Sequence, residues 1–137
     1  MNGATKYLTT GKSIGIDICS GKDLSDNSIT KTFANAELEG VKNKIEIKNE
    51  DVRSLTFADD SFDVILSLLC IHDIESKIGQ EKACLEIARV LKPNGTVDYV
   101  PTTAYAKAFA KAGLKVKSLK TYFTTAYALI WLVEATK

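Results

Sequence analysis

Glu50-Asp-Val-Arg-Ser-Leu-Thr-Phe57, followed by Asp60-Ser-Phe-Asp-Val64, is the stretch of sequence that decides the fold of this chain. It begins after Lys44–Lys48, where apolar and charged residues alternate as they do in a half-buried strand. Asp51 lies just past the end of that strand. The apolar run Phe62–Ile71 comes next, bounded by turn residues, and predicts a central strand. The stretch therefore joins two strands through an acidic loop.

A second acidic strand end lies upstream. Ser13–Ile18 is a short apolar run rich in isoleucine, which is typical of a buried parallel strand, and Asp17 lies near its end. Several N-cap residues follow, and the apolar spacing before Gly40 predicts a helix from about Ser28 to Glu39. The first part of the chain is thus predicted to run strand, helix, strand.

The remaining elements alternate in the same way. A helical stripe over Glu81–Leu91 ends at a Lys-Pro-Asn-Gly turn, Thr96–Val100 predicts a strand and Tyr105–Ala112 a short helix. The tail from Val116 to Ala135 predicts two strands in an antiparallel hairpin. This alternation indicates an α/β sandwich with a mostly parallel sheet. Because 137 residues suffice for one core and are too few for two, we expect a single domain over residues 1–137.

Composition and charge exclude several classes of partner. The net charge of +1 gives no overall attraction to nucleic acid or to an anionic membrane. No apolar run approaches the roughly 20 residues that span a bilayer, and no secretory signal is readable at the start. The three cysteines have neither CxxC nor zinc-ligand spacing, which indicates free thiols in a reducing cytoplasm and no metal site. We expect a cytoplasmic protein that binds a small neutral or zwitterionic molecule.

Two motifs carry a resemblance to a known family. The opening stretch resembles the "GD…LPF…SFDVV" pattern of class I S-adenosylmethionine-dependent methyltransferases, with Glu50 for the usual Gly and Thr56 for the usual Pro. Glu86-Ile-Ala-Arg-Val-Leu-Lys-Pro-Asn-Gly95 is similar to the family's "E-x-x-R-V-L-K-P-G-G". The likeness covers about residues 12 to 100, and the order of elements extends it further. It implies a Rossmann-like methyltransferase sandwich with S-adenosylmethionine as cofactor, but it does not identify the methyl acceptor.

Asp17 is the first candidate for the cofactor site. Ligands of open parallel sheets bind beyond the carboxyl ends of the strands, and a carboxylate there can accept hydrogen bonds from two ribose hydroxyls. We therefore assign Asp17 and its neighbour Ile18 to the cofactor. The alternative, that Asp17 caps the turn at Cys19-Ser-Gly21 or pairs with Lys22, stays open at this point.

Asp51 is the second candidate. The resemblance implies that Asp51 holds the exocyclic amino group of adenine and that the backbone N–H of Val52 meets a ring nitrogen. Asp51 alone could equally belong to a solvated acidic loop, but that interpretation does not explain the whole stretch.

The segment after the predicted central strand supplies the remaining candidates. By resemblance Ser67 and Leu68 line the cofactor site, and His72 fits the family pattern "S-x-x-x-I-H" as a substrate contact or general base. A structural role for His72, hydrogen-bonded at a strand end next to Asp73, is the alternative. Methyl transfer from a sulfonium depends on positioning more than on acid–base help, so an enzyme does not require a base here.

The sequence departs from the family pattern before Ser13. The family's first strand and GxGxG turn are not found there, and residues 1–12 resemble only the end of the first helix and its link to the second strand. Taking Ile16–Gly21 as the glycine motif retains one glycine of two and leaves too few strands. We therefore predict an N-terminally truncated sandwich whose sheet runs third, second, fourth, fifth, seventh and sixth strand in family numbering.

Two functions from different classes follow. The first is a methyltransferase acting on a small molecule, complete or defective. The second is a non-catalytic methyltransferase-like module, or a subunit that needs a partner chain or a second copy to cover an exposed sheet edge. An NAD-dependent oxidoreductase is a distant third, because no GxGxxG turn is present. Five lysines with no acidic residue among them form either a candidate partner face or an exposed surface that serves only solubility: Lys107, Lys111, Lys115, Lys117 and Lys120.

Overall fold

The structure, a computed structural model, describes residues 1–18, 29–67, 70–99, 103–117, 120–123 and 129–137. The chain divides into two compact units, Met1–Asp51 and Val52–Lys137. Each unit contains one of the two sheets. None of the helices in these ranges is long and apolar enough to cross a membrane.

The first unit is built around two parallel strands. The elements of this unit are α1 (Asn2–Thr5), β1 (Ser13–Asp17), α2 (Ile29–Leu38) and β2 (Ile45–Asn49). β1 and β2 pair in register from Ser13 opposite Ile45 to Asp17 opposite Asn49, which confirms both predicted strands. A single 3-10 turn over Lys42–Lys44 leads into β2.

The link from α2 to β2 creates the core of the first unit. Gly40 has a φ of +69°, a value that suits glycine, and it ends the predicted helix. Because the chain turns there, Val41 and Ile45 fold back onto Ala36, and Phe33 packs against this buried group. The backbone N–H of Val41 donates to the carbonyl of Ala36 at 2.9 Å, which closes the turn.

The second unit holds the larger sheet. The elements are β3 (Phe62–Ser67), α3 (Lys77–Val90), β4 (Leu91–Tyr99), α4 (Thr103–Lys111), β5 (Lys115–Val116), β6 (Lys120–Phe123) and β7 (Leu129–Thr136). β3 and β4 are parallel, while β7 runs antiparallel to β4, β5 and β6. The sheet is therefore mixed, and its order is β3-β4-β7-β5 with β6 also on β7. The β6–β7 pair is the predicted closing hairpin.

The α/β fold class with its antiparallel closing strands is confirmed, but the predicted single sheet is wrong in one respect. The strand ending at Asp17 was expected to lie beside the strand starting at Phe62. Within the described ranges the strands instead form two sheets, because β1 takes β2 as its parallel partner and β3 takes β4. Each of these strands takes the next parallel strand as its partner across one helical crossover, and this pairing uses one of its two edges.

Helix α3 begins earlier than predicted. Ser76 is its N-cap, and the Ser76 hydroxyl accepts a hydrogen bond from the backbone N–H of Gly79 at 3.0 Å. A Cβ at Gly79 would come within 2.8 Å of Ile74 Cγ2, so glycine fits this position. It is the third helical position, at which a capping box has Glu or Gln. The helical stripe alone therefore missed the first turn.

Candidate cofactor and methyl-transfer site

Asp17 and Asp51 lie at one edge of the first unit's sheet. β1 and β2 are parallel, and Asp17 pairs with Asn49 at the carboxyl ends of the two strands. Asp51 follows Asn49 by two residues. The carboxyl ends of parallel strands meet at the same edge, so the sheet brings the two acidic strand ends together. Ligands of open parallel sheets bind beyond this edge.

The backbone at this edge is held in place by β2. The N–H of Glu50 donates to the carbonyl of Asp17 at 3.2 Å. In the amide orientation that satisfies both of its polar atoms, Asn49 places its nitrogen 3.0 Å from the carbonyl of Ile18 and 3.1 Å from that of Asp17. Asn49 thus fixes the direction of the chain where the Asp17 side chain is exposed.

Asn49 was not identified from the sequence. Its only sequence signal is a polar side chain at the last position of a strand, which is common in edge strands. Ile18 is half-exposed, and both it and the Asp17 side chain are accessible from solvent. The proposed turn and Lys22 partners of Asp17 lie outside the described residues, so the capping alternative stays a prediction.

The loop that starts at Val52 is anchored by the Glu86–Arg89 pair of α3. The Arg89 guanidinium donates to the carbonyl of Phe57 at 2.8 Å and to that of Leu55 at 3.0 Å. It also donates to both carboxylate oxygens of Glu86, and Glu86 in turn accepts the N–H of Leu55 at 2.9 Å. The family-like motif at Glu86–Gly95 therefore holds the loop that follows Asp51.

The opposite charges of Glu86 and Arg89 stabilise each other. Hydrogen bonding from Arg89 lowers the pKa of the Glu86 carboxyl, although partial burial opposes the shift. The Glu86 and Asp59 carboxylates raise the pKa of Arg89, which lies 2.7 Å from Asp59. Arg89 is thus a permanent cation, and its planar fork suits several oxygen acceptors at once.

Ser67 presents an unsatisfied hydroxyl at the carboxyl end of β3. The residue is only 8% exposed, and Ser67 Oγ has no hydrogen-bond partner among the residues that the structure describes. A buried hydroxyl without a partner costs free energy, which a ligand atom could recover. Ser67 therefore fits a polar ligand, whereas its predicted companion Leu68 lies outside the described residues.

His72 contacts a residue that the sequence did not single out. The Tyr105 hydroxyl, on α4, lies 3.4 Å from His72 Nδ1. Tyr105 is almost fully buried, and its burial, with the charges of Cys84 and Asp73, raises the pKa of its phenol. The ring of His72 is exposed. No sequence pattern marks Tyr105, because an aromatic residue in an alanine-rich helix is ordinarily a core residue.

The predicted site residues are divided between the two units. Asp17, Ile18 and Asp51 belong to the first, while Val52, Ser67 and His72 belong to the second. Val52 is buried and Asp51 is half-buried. Among the described side chains, no three His, Cys, Asp or Glu residues are grouped so that they could hold a metal ion.

Comparison with known proteins gives evidence about the family of this chain that does not depend on the geometry of the site. Residues 3–97 match the model of a family described as a methyltransferase domain. An uncharacterised protein of Haemophilus influenzae is 36% identical over 96 residues, which cover 69% of this chain and 37% of that protein. Demethylmenaquinone methyltransferase of Bacteroides fragilis is 35% identical over 75 residues, covering 55% of this chain and 29% of that enzyme. The chain therefore spans about a third of the length of these curated relatives.

A solved structure supports the fold. The complex between the Haloferax volcanii Trm112 methyltransferase activator and a protein named as a methyltransferase contains a chain that superposes with a TM-score of 0.72. The match covers 98% of this chain and 75% of that one at 16% sequence identity. At this identity the likeness establishes the architecture alone.

Proposed function

Because the chain belongs to the class I S-adenosylmethionine-dependent methyltransferases, we propose that it binds S-adenosylmethionine and transfers a methyl group to a small molecule. The observation that carries the proposal is the pair of acidic residues, Asp17 and Asp51, at one edge of the parallel β1–β2 sheet. The family match runs through both compact units, which supports the further proposal that residues 1–137 form one methyltransferase domain.

The proposed roles follow from the chemistry of each group. The Asp17 carboxylate accepts hydrogen bonds from the ribose hydroxyls, beside the exposed Ile18. Asp51 accepts from the adenine amino group, and the N–H of Val52 meets a ring nitrogen. Ser67 Oγ and the adjacent Leu68 complete the cofactor contacts, and the buried Ser67 hydroxyl gains the partner that it otherwise lacks.

When bound, the cofactor supplies an electrophilic methyl group on a sulfonium. The chain's own contribution is to hold the acceptor in line with that methyl group and to take up the proton that the acceptor releases. His72 is the proposed proton acceptor. If Nδ1–H donates to the Tyr105 oxygen, Nε2 carries the lone pair, which is the tautomer that a general base requires.

A small molecule is the proposed methyl acceptor. The Bacteroides fragilis relative is a demethylmenaquinone methyltransferase, so its acceptor is a small molecule. The net charge of +1 gives the whole chain no attraction to nucleic acid, and we propose a cytoplasmic location from its three cysteines without disulfide or zinc spacing.

A second candidate function is a subunit that works with a partner chain. Val64 and Leu66 are 58% and 53% exposed, and they lie on one face of β3, which is the end strand of its sheet among the strands that the structure describes. Exposed apolar side chains on an end strand favour pairing with another chain. The Haloferax volcanii neighbour is part of a complex with an activator, which agrees with this alternative.

Calorimetric titration with S-adenosylmethionine, its demethylated product and adenosine tests the proposal. Hydrogen bonds to a charged group contribute roughly 1.5–3 kcal/mol, so Asp17→Ala should weaken binding by about ten- to a hundredfold. Adenosine should bind almost as well as the full cofactor, because the proposed contacts lie on the adenosine half. Glu37→Ala is the matched control, since Glu37 is exposed on α2 and pairs only with Lys42 among the described residues.

The possible outcomes distinguish between the two candidate functions. Binding that weakens in Asp17→Ala and not in Glu37→Ala supports the cofactor site. No detectable binding of any of the three ligands would favour the subunit function. Tight binding that Asp17→Ala leaves unchanged would show that the ribose contact has been assigned to the wrong strand.

A further inference from the structure

A cavity lies between the first turns of α3 and the helix α4, both of which belong to the second unit. Its volume is about 310 Å³, within the range of small-molecule sites. Two alanines of α4 line it and leave room between the longer side chains. The polar side chains at its wall are Lys77, Gln80, Glu81, Tyr105, Lys107 and Lys111.

The cavity concentrates positive charge. Three lysines and one glutamate line it, a local balance of +2 in a chain whose net charge is only +1. None of Lys77, Lys107 and Lys111 has an ion-pair or hydrogen-bond partner within the part of the chain that the structure describes. By contrast, Lys117 pairs with Glu134. The cationic groups at the cavity are therefore available to an anion.

The sequence explains why α4 carries no acidic side chain that could neutralise its own two cavity lysines, Lys107 and Lys111. Between Asp98 and Glu134 the chain contains no Asp or Glu at all, and α4 lies within this interval. Lys107 and Lys111 are four residues apart, which places both on the same face of the helix. Two like charges at this spacing repel each other, and an anion bound between them would relieve that repulsion.

We propose that this cavity binds a small polyanion, of the phosphate ester or polycarboxylate class. The three ammonium groups supply the charge, and each offers several hydrogen-bond donors. Gln80 is already engaged, since its side-chain amide donates to the carbonyl of Ile74 at 2.9 Å, and it holds the loop before α3 at the cavity rim.

The site is independent of the methyltransferase proposal. It shares no residue with the proposed cofactor contacts, so its existence does not depend on whether S-adenosylmethionine binds. Tyr105 nevertheless connects the cavity to His72, whose Nδ1 lies 3.4 Å from the phenol oxygen. Because His72 is the chain's single histidine, its ring resonances give an unambiguous reporter of events at the cavity.

The test is a titration of the full chain with inorganic pyrophosphate, and separately with citrate, followed by calorimetry and by the His72 resonances. Exposed ion pairs of this kind are worth two- to fivefold in affinity, so Lys107→Ala and Lys111→Ala should each raise the dissociation constant by about that factor. The double variant should lose about tenfold. Added sodium chloride should weaken binding further, since the contacts are electrostatic.

Lys115→Ala is the matched control, because Lys115 is an exposed lysine of the same basic segment that does not line the cavity. Alanine favours helix, so the α4 variants should keep the circular dichroism spectrum of the wild type. Saturable binding of either probe supports the site if the α4 variants weaken it and Lys115→Ala does not. If only pyrophosphate binds, the ligand class of the site is restricted to phosphates. No saturable binding up to about 10 mM, or equal losses in the control, would overturn the proposal.

Discussion

Replacing Arg89 by alanine should destabilise the second unit because one side chain anchors the whole loop after Asp51. Arg89 donates to the carbonyls of Leu55 and Phe57, and each such hydrogen bond contributes about 0.5–1.5 kcal/mol. Its partly buried pairing with Glu86 adds about 1 kcal/mol. Asp59 is mostly exposed and adds little. We therefore expect Arg89→Ala to lower the free energy of unfolding by about 2–4 kcal/mol.

The same anchor gives the stability a pH dependence of known sign. The pKa of Glu86 is lowered in the folded chain from its ordinary value of 4.5, so the folded state favours the carboxylate. This contribution is fully present above pH 4.5 and is lost as the pH falls through the lowered folded pKa. Arg89→Ala removes most of the cause of the shift, so the variant should lose less stability than the wild type on acidification.

Urea unfolding, followed by circular dichroism at neutral and at acid pH, measures both effects. Lys82→Ala removes an exposed cation from the same helix and should stay within about 0.5 kcal/mol of the wild type. Arg89→Lys should recover only part of the loss, because an ammonium cannot replace the planar fork. The reasoning would be refuted if Arg89→Ala and Lys82→Ala unfolded at the same urea concentration.

The other predictions concern separate features. Asn49→Ala removes the amide that spans two carbonyls at the end of β1, and it should weaken adenosine binding about fivefold in calorimetry, whereas an unchanged affinity would exclude a positioning role. Burial raises the pKa of Cys84 to about 12, so at pH 8 only about one molecule in 10⁴ carries that thiolate; alkylation mapped by mass spectrometry should label the exposed Cys70 long before Cys84. The exposed Val64 and Leu66 should drive self-association that Leu66→Lys reduces, and a wild-type chain that sediments as a monomer at high concentration would contradict this.

Much of the secondary structure follows from local sequence. The helix predicted at 28–39 occupies Ile29–Leu38, and the strands near Asp17 and after Lys44 lie within one or two residues of their predicted limits. Apolar periodicity and a terminating glycine are properties of neighbouring residues, so they can be read from the chain directly. The start of α3 was missed because its cap depends on the space around Gly79, which periodicity does not report.

Which strands pair was only partly predictable. The antiparallel position of the last strand follows from the order of elements, and β7 does run antiparallel to β4. The division into two sheets does not follow from that order, because a parallel strand can satisfy its hydrogen bonds on either side. The local pattern of apolar residues restricts which strands can pair. The register of the strands and their packing then determine which pairing forms.

The sequence by itself determined the elements, the family and the two acidic strand ends, since these are encoded in contiguous residues. Only the tertiary structure decided which distant groups meet: the Asn49 amide at the carbonyls of Asp17 and Ile18, and Tyr105 beside His72. The His72–Tyr105 contact joins residues 33 positions apart. Such contacts depend on strand register and on the packing of one helix against another. Neither can be read from the spacing of apolar residues along the sequence.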